Sequence, residues 1–407
     1  MTELWPHQRQ AIAFAYERSF AQLALDMGTG KTLSAITLAR KWQAKRILVL
    51  CPLSVIPVWG AELEKHAPRS RYELLNEGSI GQKTKHAKLA VDIAAKRKEP
   101  VFIIINYESF WREPFRYFSL NCGWDLIVFD ESHRIKAPGG KASRFSSLLA
   151  RGIPHRLGLT GTPTPHSPAD IYAQLRAIDP RVFGNSFSRF KARYAVMGGF
   201  QGHNIIGWKN TVEMDARVAS VCFAVKKRDV LDLPPVTVLR RTFELSPPAM
   251  KAYRNLHFDL YTRIESGEIT ASNALVKLLR LQQITSGFVR DDNDVIHAVD
   301  DGKASMLNDL LSDLPADEPV VVFCRFLRDL DCVRETTELL KRSYGEVSGR
   351  HKDLVGGKYP PGIQILGVQI QSGGLGIDLS RAAYAIYYSV GFSLGDYEQS
   401  VARLDRA

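Results

Sequence analysis

The segment Asp26-Met27-Gly28-Thr29-Gly30-Lys31-Thr32 lies between an apolar run, AQLAL (21–25), and TLSAITLARKW (32–42), in which Ala35, Leu38, Ala39 and Trp42 recur at helical spacing. Apolar strand, glycine turn, amphipathic helix is a narrow prescription. Glycines at 28 and 30 let the backbone curl so that successive N–H groups converge at a helix N-terminus, which favours an anion. Lys31 adds a point charge suited to β/γ-phosphates, and Thr32 a hydroxyl able to ligate Mg²⁺. The strict GxxxxGK[ST] spacing fails at its first position, Leu25. A phosphate loop of this kind requires a parallel sheet behind it.

Runs suited to that sheet follow. ILVLC (47–51), VFIII (101–105) and DLIVFD (125–130) are short, β-branched and not alternating, as strands buried on both faces are. A second series, PVVVFC (319–324), IQILGVQI (363–370) and AYAIYY (383–388), begins after residue 300. Helical patterns lie between the strands in both, which predicts α/β architecture with two doubly wound sheets. The proline pairs in LDLPPV (231–236) and LSPPAM (245–250) break helices and mark the junction. We expect a first domain over 1–235, a junction with helices over 236–300, and a second domain over 301–407.

The run DLIVFD ends in Asp130-Glu131-Ser132-His133. A carboxylate at the C-terminal end of a parallel strand can reach a Mg²⁺ held by a phosphate loop on the same sheet, which assigns Asp130 with Thr32 to the metal. Glu131 is then placed to orient and deprotonate a water. Loop and acidic box together point to nucleoside-triphosphate hydrolysis. A formal charge of +11 favours a polyanionic partner, nucleic acid ahead of membrane. Cysteines 51, 122, 222, 324 and 332 form no CxxC pair and the histidines no HExxH, so neither a disulfide framework nor a zinc site is expected. No run is long and apolar enough to span a bilayer, and the first ten residues do not resemble a signal peptide.

Taken with further motifs, these residues resemble a superfamily-two helicase-type ATPase of the Swi/Snf class, the double-stranded-DNA translocases. LWPHQ (4–8) resembles the adenine-sensing glutamine motif and gives Gln8 to the base. Met27 to Thr32 resemble the phosphate loop. CPL (51–53), with Trp59 and Glu62, and INYE (105–108) resemble two strand-end motifs; they imply nucleic-acid phosphate contacts near Pro52, Leu53 and Ser109. DESHRIK (130–136) and LTGTPTPHSPADIYAQL (159–175) resemble the class-specific second and third motifs, implying that His133, Thr160, Gly161 and Thr162 couple nucleotide state to the nucleic-acid groove. GWKNTVEM (207–214) and KKRDVLDLPP (226–235) resemble the close of the first lobe, although its usual twin arginine does not align cleanly and Lys226-Lys227-Arg228 stands in for its charge. VVVFCRF (320–326) resembles the fourth motif. SGGLGIDLS (372–380) resembles the fifth, with Ser372 toward nucleic acid and Gly374 and Asp378 toward nucleotide. QSVARLDRA (399–407) resembles the sixth, implying coupling by Gln399 and arginine fingers at Arg403 and Arg406.

The resemblance implies two RecA-like lobes, each a mostly parallel sheet flanked by helices, with ATP and Mg²⁺ in the cleft between them. It further implies a monomer bound to duplex DNA through the backbone, in the cytoplasm of a bacterial or viral system or in a nucleus. Rivals within the class are an RNA helicase or a restriction-enzyme motor subunit; a rival outside it is a non-hydrolysing nucleotide-gated clamp. A nuclease is disfavoured, since no carboxylate cluster lies outside the acidic box.

Overall fold

The computed structural model describes residues 3–161, 163–164, 167–199, 204–230, 236–259, 261–264, 267–270, 274–370 and 377–404. Thr162, Ser372, Gly374 and Arg406 lie outside them. The chain forms two compact units, Met1–Leu233 and Pro234–Arg406.

In the first unit the chain runs α1 (Pro6–Arg18), β1 (Phe20–Leu25), α2 (Lys31–Lys41), β2 (Arg46–Cys51), α3 (Ile56–His66), β3 (Arg71–Leu75), α4 (Ile80–Arg97), β4 (Val101–Asn106), α5 (Phe115–Asn121), β5 (Leu126–Asp130), α6 (Lys141–Ala150), β6 (His155–Thr160) and α7 (Asp170–Ile178). It continues through α8 (Phe187–Tyr194), a hairpin of β7 (Ala195–Gly198) and β8 (Asn204–Trp208), α9 (Thr211–Ala219) and β9 (Cys222–Val225). A seven-stranded sheet has the order β3-β4-β2-β5-β6-β1-β9. All of its pairings are parallel. The apolar runs do not alternate because both faces are covered. On β2, Leu48 and Leu50 join one core while Ile47, Val49 and Cys51 join the other; β4 divides the same way, Ile103 and Ile105 against Phe102 and Ile104.

The second unit contains α10 (Pro247–Asp259), β10 (Tyr261–Ile264), β11 (Gly267–Thr270), α11 (Ala274–Thr285), β12 (Phe288–Arg290), β13 (Ile296–Ala298), α12 (Gly302–Asp313), β14 (Val320–Cys324), α13 (Leu327–Leu339), β15 (Tyr344–Val347), β16 (Ile365–Gln369), β17 (Tyr384–Tyr387) and α14 (Leu394–Leu404). Its four-stranded sheet, β15-β16-β14-β17, is again all parallel. Strand β17 is at the edge of this sheet, and Tyr384 is exposed there. Residues 236–300, expected as a separate junction, fold with this unit. Phe288 meets Phe326 edge-on at 5.5 Å, and Gln282 bonds Arg325 and donates to the Val390 carbonyl at 3.3 Å. Cys51 and Cys324 are fully buried at strand ends, as small hydrophobes.

Candidate functional site

The strand order of the first sheet decides where its loops meet. In a parallel sheet all strand C-termini share one edge, and ligands of open α/β sheets collect there. Along that edge, β1 leads into the glycine loop, β6 into Gly161, β5 into the acidic box, β2 into Pro52, and β4 into Ser109, in spatial order. The loop after β1 turns through left-handed backbone at Gly28 (φ 82°) and Gly30 (φ 85°). A side chain on Gly30 would also collide with Gln8. The Thr29 hydroxyl donates to the Asp26 carbonyl at 2.7 Å, and Asp26 Oδ2 accepts the Lys227 N–H at 2.8 Å. The segment Lys226–Arg228 therefore reaches the phosphate loop through its backbone. Lys31 Nζ donates to the Leu25 and Asp26 carbonyls at 2.9 and 3.3 Å, which aligns the ammonium with the loop axis and leaves a third N–H.

Gln8 is buried beside this loop. Its Nε2 donates to the Thr29 carbonyl at 3.1 Å while its Oε1 accepts the Trp5 N–H at 2.9 Å, tying the start of α1 to the loop. His7 Nε2 lies 3.0 Å from the same Thr29 oxygen. The motif resemblance singled out Gln8 but not His7, although the two are adjacent in LWPHQ.

Asp130 is buried at the end of β5. Its Oδ2 accepts the Trp59 indole N–H at 2.8 Å, its Oδ1 accepts the Glu131 N–H at 3.0 Å, and the Tyr107 hydroxyl donates to its carbonyl at 2.8 Å. Burial, then the neighbouring Glu131 charge, push the carboxyl up to about 6, against the pull of Trp59 and Lys31. A carboxylate so costly to ionise is one that a cation would favour, and with Thr32 at the head of α2 it fits a Mg²⁺ ligand pair. Glu131 adopts left-handed backbone (φ 51°), uncommon for a non-glycine residue and frequent at functional sites. His133 Nδ1 lies 3.3 Å from Glu131 Oε2 and 3.3 Å from Thr160 Oγ1, joining the acidic box to the end of β6. Gly161 completes the join: a side chain there would lie 3.6 Å from the Leu25 carbonyl and 3.7 Å from the Met27 nitrogen.

Of the residues expected to serve nucleotide and coupling in the first unit, Gln8, Met27 to Thr32, Asp130, Glu131, His133, Thr160 and Gly161 thus lie together. Pro52 and Leu53 open a short helical turn after β2, with Leu53 exposed, and Ser109 follows β4 with its N–H on the Asn106 carbonyl at 3.1 Å. A description of the SNF2-related domain matches residues 7–287. The chain belongs to the SNF2-related domain family. It is 26% identical, over 99% of its length and 56% of the relative's, to the Caenorhabditis elegans homolog of SWI/SNF-related matrix-associated actin-dependent regulator of chromatin subfamily A-like protein 1. It is 24% identical to the mouse DNA annealing helicase and endonuclease ZRANB3, over 100% of the chain and 37% of that protein. This SNF2-related chain spans about half the length, or less, of these two curated relatives. A solved structure, the Sulfolobus solfataricus SWI2/SNF2 ATPase core in complex with dsDNA, aligns with a TM-score of 0.48 at 21% identity, covering 95% of this chain and 82% of that one.

In the second unit, Asp378 receives the Ser380 N–H at 3.0 Å and its hydroxyl at 2.7 Å. Gln399 is half-buried on α14. Arg403 is buried on the same helix, donating to the Ile377 carbonyl at 3.2 Å, while its own carbonyl accepts the Leu379 N–H. Its guanidinium is turned into its own unit. Among the described residues no cluster of three or more His, Cys, Asp or Glu side chains could hold a metal, and no helix is long and apolar enough to cross a membrane.

Proposed function

We propose that this chain hydrolyses ATP to drive movement along double-stranded DNA, gripping the duplex by its backbone without reading sequence. The observation that carries the reading is the order of loops along one sheet edge: phosphate loop and acidic box at one end, linked to each other through Gly161 and the His133–Thr160 contact, and Pro52 and Ser109 at the other. In this reading Lys31 binds the β/γ-phosphates, Gln8 reads the base, and Glu131 takes the proton of the attacking water. Mg²⁺, held by Thr32 and Asp130, would neutralise charge on the β- and γ-phosphates. The role proposed for Arg403 as an arginine finger requires its guanidinium to leave the Ile377 carbonyl. Backbone N–H groups near Pro52, Leu53 and Ser109 would take DNA phosphates, which position without specifying sequence. Such a motor would act in the cytoplasm of a cell without a nucleus, or in the nucleus of one that has it.

The test is steady-state ATP hydrolysis with Mg²⁺, for the wild type and Lys31→Ala, with no nucleic acid, duplex DNA, single-stranded DNA or RNA. Stimulation by duplex DNA, with loss of about a hundredfold or more in turnover on Lys31→Ala, is expected. Stimulation by RNA alone would replace the reading with an RNA helicase. ATP binding without turnover would replace it with a clamp.

A further inference from the structure

Two side chains of α1 tie down the phosphate loop from outside it, and only one of them, Gln8, has a part in reading the base. The other is His7, buried in the first turn of α1, whose Nε2 lies 3.0 Å from the Thr29 carbonyl oxygen. Gln8 Nε2 donates to the same oxygen at 3.1 Å. A carbonyl oxygen accepts and never donates, so the His7 bond requires the imidazole proton on Nε2. Both lone pairs of the Thr29 oxygen are then taken. The Trp5 indole lies against the imidazole, with ring centroids 5.5 Å apart.

The next carbonyl is held as firmly. Gly30 O accepts the N–H and the hydroxyl of Ser34, both at 3.0 Å. The peptide bonds of this loop are trans, and in a planar trans peptide the C=O and the following N–H point in opposite directions. Fixing the carbonyls of Thr29 and Gly30 therefore fixes the N–H groups of Gly30 and Lys31, turned away from His7, Gln8 and Ser34. They sit where the loop enters α2, so a phosphate that meets them also meets the positive end of that helix. Helix α1 closes the loop at Gly30 and not at Gly28. A side chain on Gly30 would lie 3.1 Å from Gln8 Cδ, whereas one on Gly28 would meet nothing within 4 Å.

Packing does not call for an imidazole here, since a phenylalanine ring would lie against Trp5 as well. Base reading does not call for it either. The Gln8 amide keeps one N–H and one lone pair beyond its bonds to Thr29 and Trp5, which are the groups a base would meet. What His7 adds is the second donor on the Thr29 oxygen.

We propose that His7 is a positioning residue for phosphate: by donating to Thr29 it sets the direction of the Gly30 N–H, and so the affinity of the loop for a purine nucleotide whichever base it carries. This rests on residues 27–32 binding nucleotide phosphates, as in the function proposed above.

The experiment is calorimetric titration of the wild type, His7→Phe and His7→Gln with ADP and with GDP in Mg²⁺, with a thermal melt of each protein. His7→Phe keeps a ring against Trp5 and removes the donor. His7→Gln gives up the ring and restores an N–H at the position of Nε2. His7→Leu, which also lacks a donor, replaces His7→Phe should that protein fail to fold. His7→Phe is expected to bind both nucleotides about fivefold more weakly, the loss of one hydrogen bond, with the ratio of ADP to GDP affinity unchanged. His7→Gln is expected to bind within about twofold of the wild type. A packing role predicts the reverse order, His7→Gln weak and His7→Phe unaffected, and would overturn the proposal. So would a changed ratio of ADP to GDP affinity in His7→Phe, which would make His7 a reader of the base. A wild type that binds neither nucleotide overturns the ATPase reading and this inference with it. A wild type that binds, with His7→Phe its equal, overturns the inference alone.

Discussion

The single N–H of the Trp59 indole is committed to Asp130. That bond is one of the few forces opposing burial at a carboxyl already raised to about 6. Trp59→Phe keeps an aromatic ring in the core and removes only the donor and part of the volume. Oδ2 then loses its partner, the ionised form loses support, and the carboxyl titrates higher still. Supporting bonds to metal ligands carry about ten- to a hundredfold in metal affinity, so Trp59→Phe should raise the Mg²⁺ concentration for half-maximal ATP hydrolysis by about tenfold. At saturating Mg²⁺ the turnover should largely recover. A Mg²⁺ titration of ATPase activity checks this, and an unchanged requirement would mean that the indole bond does not shape the site.

Elements were more legible than their supporting contacts. The strands β2, β4, β5 and β14 stand out because a short run without alternation has one economical use, a parallel strand covered on both faces. The glycine loop stands out because positive φ at 28 and 30 needs glycine. The buried bond from Gln22 to Ser132 did not. Gln22 in AQLAL reads as a blemish in an apolar strand, and the hydroxyl that its Nε2 meets is 110 residues away in sequence. Trp59 was visible within a motif, but its bond to Asp130 depends on the crossing of α3 over the sheet. The hairpin β12–β13 was missed too, being two strands of three residues each in a stretch that looked like a junction. It is held by Asp291, which lies 3.0 Å from His297 Nε2 and accepts the N–H groups of Asn293 and Val295 at 2.9 and 2.8 Å. His297 first, then those N–H groups, hold the Asp291 carboxyl below the usual carboxylate range, burial acting the other way. A depressed carboxyl gives stability that is present above its unfolded value and lost as pH falls through its folded value. Amide protection in this hairpin should therefore hold from neutral pH to about pH 4 and decline below it. Asp291→Asn should lower protection at neutral pH and abolish the acid decline, as read by hydrogen exchange. If both proteins decline alike, the Asp291 carboxylate is not what holds the hairpin.

At the scale of the whole molecule, sequence gave the sign of the charge and not its use. Lys and Arg total 54 against 43 Asp and Glu. An excess of this kind serves a polyanion only if cations or N–H groups meet phosphates, and that has a thermodynamic signature. Each phosphate neutralised releases condensed counterion, so the logarithm of affinity falls with the logarithm of salt by about 0.9 per contact on duplex DNA and about 0.7 on a single strand. For a grip of about six phosphates or more, the duplex concentration giving half-maximal ATPase stimulation should rise about a thousandfold or more between 50 and 200 mM salt. Binding measured directly, by anisotropy of a labelled duplex, should show the same slope in Lys31→Ala, because the proposed role of that lysine is on the nucleotide, its Nζ being held by the Leu25 and Asp26 carbonyls. A flat response would remove the phosphate-gripping motor. A slope that Lys31→Ala flattens would mean that DNA and nucleotide compete for one cationic site, and the ordering of loops along the sheet edge would then have been misread. Comparing duplex with single strand closes the question: if both are gripped through the same contacts, the single-strand slope should be shallower by about the ratio of 0.7 to 0.9, whereas a steeper single-strand slope would assign the grip to one strand.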